Sequence, residues 1–114
     1  MVMTATQHVT ISTDPDLITL INVFTCPESR QGELVATLDR ATAEVFVHQP
    51  GFISASIHAS LDRTRVLSYT QWARVEDFDA AGAVPAVQEC VAQILAIAES
   101  ADPRLHQVRA VHRA

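Results

Sequence analysis

The sequence predicts a single α+β domain with the order β-α-β-β-α-β, the ferredoxin-like arrangement that sets helices on one face of an antiparallel sheet. Three observations predict it. Leu17–Phe24 is a short apolar run rich in β-branched residues, the mark of a buried strand. Residues 52–60 alternate strictly and lead through Asp62-Arg63 into a return segment, Arg65–Ala73, which reads as a hairpin. Apolar residues recur at helical spacing in two stretches, residues 34–46 and 84–98. A chain of 114 residues is of ordinary single-domain size.

The elements follow in order. Residues 1–16 are polar, contain Pro15 and are expected as a loose arm ahead of one domain spanning 17–114. Within the arm, His8–Ser12 alternates and is able to extend a sheet edge. After the first strand, Thr25 with Glu28 has the spacing of a capping box, and Pro27 suits a first helical turn. Leu34, Leu38, Ala41 and Val45 then form an apolar stripe widened by Val35 and Phe46, and Pro50-Gly51 ends the helix. A two-residue tip at Asp62-Arg63 sets Ile57 opposite Ser68, Ala55 opposite Thr70 and Ile53 opposite Trp72. Val75–Ala81 reads as a short helix broken at Gly82. Val84, Val87, Val91, Ile94 and Ala98 mark the next helix, Asp102-Pro103 closes it, and Leu105–Val111 is the expected last strand.

Composition narrows the function. Net charge is −5, which gives no basic footprint for nucleic acid or an anionic membrane surface. All basic residues are Arg and none is Lys. That excludes a Lys Schiff base and fits the codon usage of a GC-rich genome, such as an actinobacterium's. Cys26 and Cys90 lie far apart with no CxxC and read as reduced structural thiols. The scattered His8, His48, His58, His106 and His112 lack metal-ligand spacing, so no metal is expected. Nothing in the first residues has signal-peptide character, and no apolar run approaches the roughly 20 residues of a membrane span. A cytoplasmic location is the default.

One sheet face should pack on the helices. The other would carry Thr19, Ile21, Val23, Phe52, Ser54, Ser56, His58, Tyr69 and Gln71. That face is too apolar to stand bare and too polar for a core, which suits sheet-to-sheet pairing in a homodimer. Phe52, Ser54, His58, Tyr69 and Gln71 are its expected interface residues.

Gln49-Pro50-Gly51-Phe52, the alternating strand to Asp62, Ser68-Tyr69-Thr70-Gln71-Trp72, Glu76-Asp77-Phe78 and Leu20-Ile21-Asn22-Val23-Phe24 together resemble the antibiotic-biosynthesis monooxygenase family over about residues 17–111. The resemblance implies a dimeric α+β barrel with a cavity between sheet and helices in each subunit. Some members of the family oxidise aromatic polyketides to quinones with O₂ and no metal or flavin. It therefore implies a cofactor-independent oxidation of an aromatic polyketide-like or phenolic metabolite. A small aromatic molecule would be the ligand and no cofactor would be needed.

Asn22 and Trp72 match positions that often line the family cavity and are the candidate catalytic pair. Asn22 would hold a carbonyl or phenolate oxygen. Trp72 would stack on the ring and offer its indole N–H. Ser68, Thr70, Ile57 and Phe78 are the expected pocket companions. Packing alone also accounts for Trp72, and a satisfied structural hydrogen bond for Asn22. Three positions depart from the quinone-forming members: Ser68 replaces an Asn, Phe78 replaces a Tyr, and residues 83–100 hold no basic side chain. The same helix lacks the His of haem-degrading relatives. A non-catalytic small-molecule-binding dimer and an accessory partner of a biosynthetic enzyme are the alternatives.

Overall fold

Four strands form one antiparallel sheet in the order β2-β3-β1-β4 in the computed structural model, which describes residues 7–114. The strands are β1 (Ile18–Thr25), β2 (Phe52–Ala59), β3 (Arg65–Trp72) and β4 (Ser100–His106). Three helices, α1 (Gln31–Glu44), α2 (Val75–Gly82) and α3 (Pro85–Ile97), supply the second layer. This is the ferredoxin-like α+β arrangement that the alternation of strand and helix patterns predicts. The apolar run of β1 lies inside the sheet, paired with β3 on one side and β4 on the other. The core joins Leu34, Leu38 and Ala41 of α1, Ile94 and Ile97 of α3, and Phe24 and Val66 of the sheet. Leu34 and Val66 are fully buried.

Several local expectations change. His8–Ser12 forms no strand, and residues 1–6 lie outside the described part of the arm. The Thr25–Glu28 capping box does not form. Pro27 instead opens a 3-10 turn over Glu28–Arg30, and α1 begins at Gln31 without a side-chain cap. Gln31 anchors that end differently: its amide donates to the carbonyls of Ser60 and Arg65, each at 2.9 Å. The start of α1 is thereby tied to the closing pair of the β2–β3 hairpin. The helix also ends early, at Glu44. A 3-10 turn over Phe46–His48 follows and brings Phe46 to the cavity beneath.

The hairpin keeps the expected register, Ile57 opposite Ser68 and Ala55 opposite Thr70. Its tip is longer, because Ser60 and Arg65 close the ladder and leave residues 61–64 in the loop. Arg63 takes a left-handed φ of 67° there, a conformation that favours Gly. Asp62 organises the loop by accepting from the Thr64 N–H and from the Ser60 and Thr64 hydroxyls. These bonds hold its carboxyl down at about 2, the Thr64 backbone N–H contributing most. The carboxylate therefore stays ionised until the pH falls through about 2.

Near its start β2 carries a bulge between Phe52 and Ser54. Ile53 is the extra residue, so Phe52 rather than Ile53 pairs with Trp72. The predicted outward position of Phe52 is thus reversed, since one inserted residue flips the side-chain alternation. Asp102-Pro103 does not stop the chain short of the last strand either. Both residues lie inside β4, which begins at Ser100 and ends at His106. Pro103 is accommodated because β4 is an edge strand, where one missing ladder donor is tolerated.

Among the described residues no single helix is long and apolar enough to cross a membrane. Only α2 and α3 together meet the test, and they are bent by 78° at their junction.

Gly51 precedes the bulge with φ +81°, and a Cβ there would run into the side chain of Asp77 on α2. Its carbonyl accepts from the Ala73 N–H at 2.7 Å. Gly51→Ala is expected to destabilise the fold by about 2–4 kcal/mol, left-handed strain adding to displacement of α2. Urea unfolding measures it, and a loss within experimental error of zero would contradict this packing.

Candidate functional site

A cavity of about 300 Å³ lies between the sheet and the helices, at the small end of the range for ligand pockets. Its floor is the helix-facing side of β1, β3 and β4. Asn22 stands opposite Ser68 on β3 and opposite Pro103 on β4, and Thr70 stands opposite Leu20. Among the described residues, Asn22, Ser68 and Thr70 are the only side chains with hydrogen-bonding oxygen or amide groups in the lining. The walls are apolar, with Phe46 and Phe52 on one side and Phe78 of α2 and Val87 of α3 above. Val91 and Leu95 of α3, with Ala101 and Pro103 of β4, also line it and are exposed. They mark its open rim.

Trp72 is buried at 5% exposure and held by two edge-to-face aromatic contacts. Phe52 packs at 5.3 Å with an interplanar angle of 83°, and Phe78 at 5.9 Å and 74°. Such pairs add about 0.5–1.5 kcal/mol beyond their buried area. The indole N–H donates to Thr70 Oγ1 at 3.3 Å. The N–H expected to serve a substrate is therefore engaged inside the protein. Asn22 presents the opposite situation, because its Oδ1 is buried with no hydrogen-bond partner among the described residues. The reading of Asn22 as an internally satisfied strand residue does not hold for that atom.

Among the described residues no Asp, Glu, His, Cys, Tyr, Lys or Arg lines the cavity. Cys26 and Cys90 are both free thiols whose pKa values are pushed up by burial, with Glu99 adding to the effect at Cys26 and Glu89 at Cys90. Neither reaches the cavity.

The structure brings Asn22, Ser68, Thr70, Trp72 and Phe78 together and leaves Ile57 out. Ile57 packs against the core that includes Leu34 and Leu38 of α1. Phe52, placed by alternation on the outer face, belongs to the cavity through the bulge. Phe46, read as part of the α1 stripe, reaches the cavity through a 3-10 turn instead, and the rim residues of β4 carry no signal in a linear reading, since an edge strand puts them there.

On the outer face Ser54 donates to the Gln71 amide oxygen at 2.8 Å. Gln71 is only 2% exposed within the single chain. Ile21, Val23, Leu67 and Tyr69 there are half-buried, and His58 is exposed beside Ser56 at 2.9 Å.

Residues 17–93 match the family model described as "Antibiotic biosynthesis monooxygenase". Over 79 residues the chain is 44% identical to the tetracenomycin-F1 monooxygenase of Streptomyces glaucescens, covering 69% of this chain and 70% of that protein. Among solved structures, it is similar to a monooxygenase from ActVA-Orf6 of Streptomyces coelicolor, determined in complex with nanaomycin D. The TM-score is 0.79 at 24% identity, over 89% of this chain and 96% of that one. It is also similar to SnoaB, a cofactor-independent oxygenase from Streptomyces nogalater, with a TM-score of 0.76 at 23% identity, over 84% and 96% of the two chains. At these identities the two structures establish the shared fold.

An orphaned buried acceptor costs about 1–3 kcal/mol. Asn22→Leu is therefore expected to stabilise the ligand-free protein by about 1 kcal/mol or more while weakening binding of hydroxylated aromatics. Thermal unfolding tests it, and a lowered midpoint would show that Asn22 serves the fold itself.

Proposed function

Because the chain belongs to the antibiotic biosynthesis monooxygenase family, we propose that it oxidises an aromatic polyketide-like or phenolic substrate with O₂, without metal or flavin. The observation that carries this reading is an apolar cavity whose buried Asn22 Oδ1 lacks a partner. It accepts a planar aromatic body and asks it for a hydrogen-bond donor.

The electrons come from the substrate. An anthrone-type ring CH₂ loses a proton, and the resulting enolate passes one electron to O₂. The substrate radical and superoxide combine to a carbon-bound peroxide anion, which takes a proton back from water at the rim to give the hydroperoxide. Loss of water from that hydroperoxide leaves a ketone, so CH₂ plus O₂ becomes C=O plus H₂O. With no ionisable side chain in the lining, the proton leaves to water at the rim. Asn22 Oδ1 accepts from a phenolic O–H of the substrate and fixes the ring in the cavity. Trp72 stacks on the ring, and the apolar walls keep bulk water from the radical pair.

Oxygen uptake with an anthrone is the test. The wild-type chain is expected to exceed the uncatalysed rate, with Asn22→Ala lowering kcat about 100-fold or more and Trp72→Phe lowering it less. Uptake at the uncatalysed rate across a set of anthrones would reject the oxidation. The lack of any ionisable lining residue favours a second reading, a binder that holds aromatics without oxidising them. Quenching of Trp72, the single Trp, without oxygen uptake would select it.

The active unit we propose is a cytoplasmic homodimer formed through the outer sheet face. Ile21, Val23, Leu67 and Tyr69 give that face an apolar centre, and Ser54 and His58 a polar margin. Every residue of β4 is exposed in the single chain, so a partner would also cover the free sheet edge. Sedimentation at micromolar concentration should give a dimer, and Tyr69→Asp should shift it toward monomer. A monomeric wild type would overturn the assembly.

A further inference from the structure

Hydrogen-bond accounting along the cavity floor separates two residues that composition alone would treat as equivalent polar lining. Indole nitrogen is a donor with no acceptor capacity, whereas a Thr hydroxyl carries one proton and two lone pairs. The Trp72 N–H is committed to Thr70 Oγ1. Thr70 is buried at 6% exposure, and no hydrogen bond donated by its hydroxyl is found among the described residues. The bond from Trp72 takes up a lone pair and leaves the proton of Thr70 unspent. On the neighbouring strand Asn22 Oδ1 is an acceptor without a donor.

The two unsatisfied groups do not cancel each other. Asn22 faces Ser68 and Thr70 faces Leu20, so Asn22 and Thr70 are diagonal neighbours, whose spacing in a sheet is about 7–8 Å. A buried donor and a buried acceptor held apart on a floor that carries Ser68 as its other hydroxyl together specify a ligand with the complementary pattern.

We propose that Thr70, rather than Trp72, is the donor that orients the substrate. Its hydroxyl proton meets a ring carbonyl while Asn22 Oδ1 takes a phenolic O–H. The cavity therefore selects aromatic hydroxy-ketones over hydrocarbons of the same shape. Trp72 acts on this contact through Thr70, since an oxygen that accepts one hydrogen bond donates its own proton more strongly. The inference rests on the reading of the cavity as an aromatic site but not on the oxidation.

Anaerobic titration of Trp72 fluorescence with 9-anthrone and with 9,10-dihydroanthracene tests it. The two probes share a tricyclic skeleton, and only the first has a carbonyl. Wild type should prefer anthrone. Thr70→Val should weaken anthrone binding about three- to tenfold and leave dihydroanthracene within about twofold. Thr70→Ser should restore the preference, and Thr70→Ala reads the same loss if the Val variant fails to fold. The Trp72 indole proton resonance should move upfield in ligand-free Thr70→Val. An unchanged ratio of the two affinities in Thr70→Val overturns the proposal, as does failure of anthrone to bind wild type. Tighter anthrone binding in that variant also overturns it, because the freed Trp72 N–H would then be the better donor. Binding that depends on Thr70 without oxygen uptake in air would keep the orientation and reject the oxidation, so the two readings fail separately.

Discussion

One extra residue in a strand determines how the site is assembled. Ile53 bulges out of β2, and the alternation before it runs one step out of phase with the alternation after it. Phe52 consequently turns toward the helices and meets the edge of Trp72, while Ser54 keeps to the outer face and binds Gln71. The bulge is possible because Gly51 ahead of it adopts a left-handed φ and lets Asp77 approach closely. That approach seats α2 on the sheet, and α2 brings Phe78 into edge-to-face contact with Trp72. Turn, bulge and helix thus converge on a single indole, which makes an edge-to-face contact with each of two phenyl rings.

The elements with strong periodicity were legible in the sequence. The α1 stripe of Leu34, Leu38 and Ala41 is buried as its spacing implies, and the Ile57–Ser68 register follows from alternation and hairpin length together. What escaped were departures from periodicity. The bulge at Ile53 leaves no mark, because an alternating run looks the same with or without an insertion opposite it. Pro103 reads as a terminator until its strand is known to be an edge, where a missing N–H matters less. Asn22, Thr70 and Trp72, which resemblance and strand phase place together, line one cavity, and Ile57 does not, because phase says which face a residue takes and not how far the cavity extends. The hydrogen bond from Trp72 to Thr70 was beyond a linear reading altogether, since it depends on the rotamers of two side chains on one strand.

The electrostatics of the site are those of a neutral enclosure. Its polar groups are an amide and two hydroxyls, set into a floor otherwise made of apolar side chains. Charge that develops there meets fixed dipoles rather than a counter-ion, and those dipoles are strong because little water competes with them. The same enclosure imposes a cost on the empty protein, where the Asn22 oxygen has lost water and gained nothing. Local instability of this kind concentrates where a structure is shaped for something outside itself.

The rim has a different character from the floor. Ala101 and Pro103 sit on a strand that hydrogen-bonds to only one neighbour, and both are exposed while still lining the cavity. The floor residues, by contrast, share their strands with the core. Changes of side-chain size at Ala101 and Pro103 therefore alter the opening without removing a buried contact. This division gives the fold a route for drifting between substrates of different bulk: the entrance is remodelled residue by residue, and the aromatic clamp behind it stays as it is.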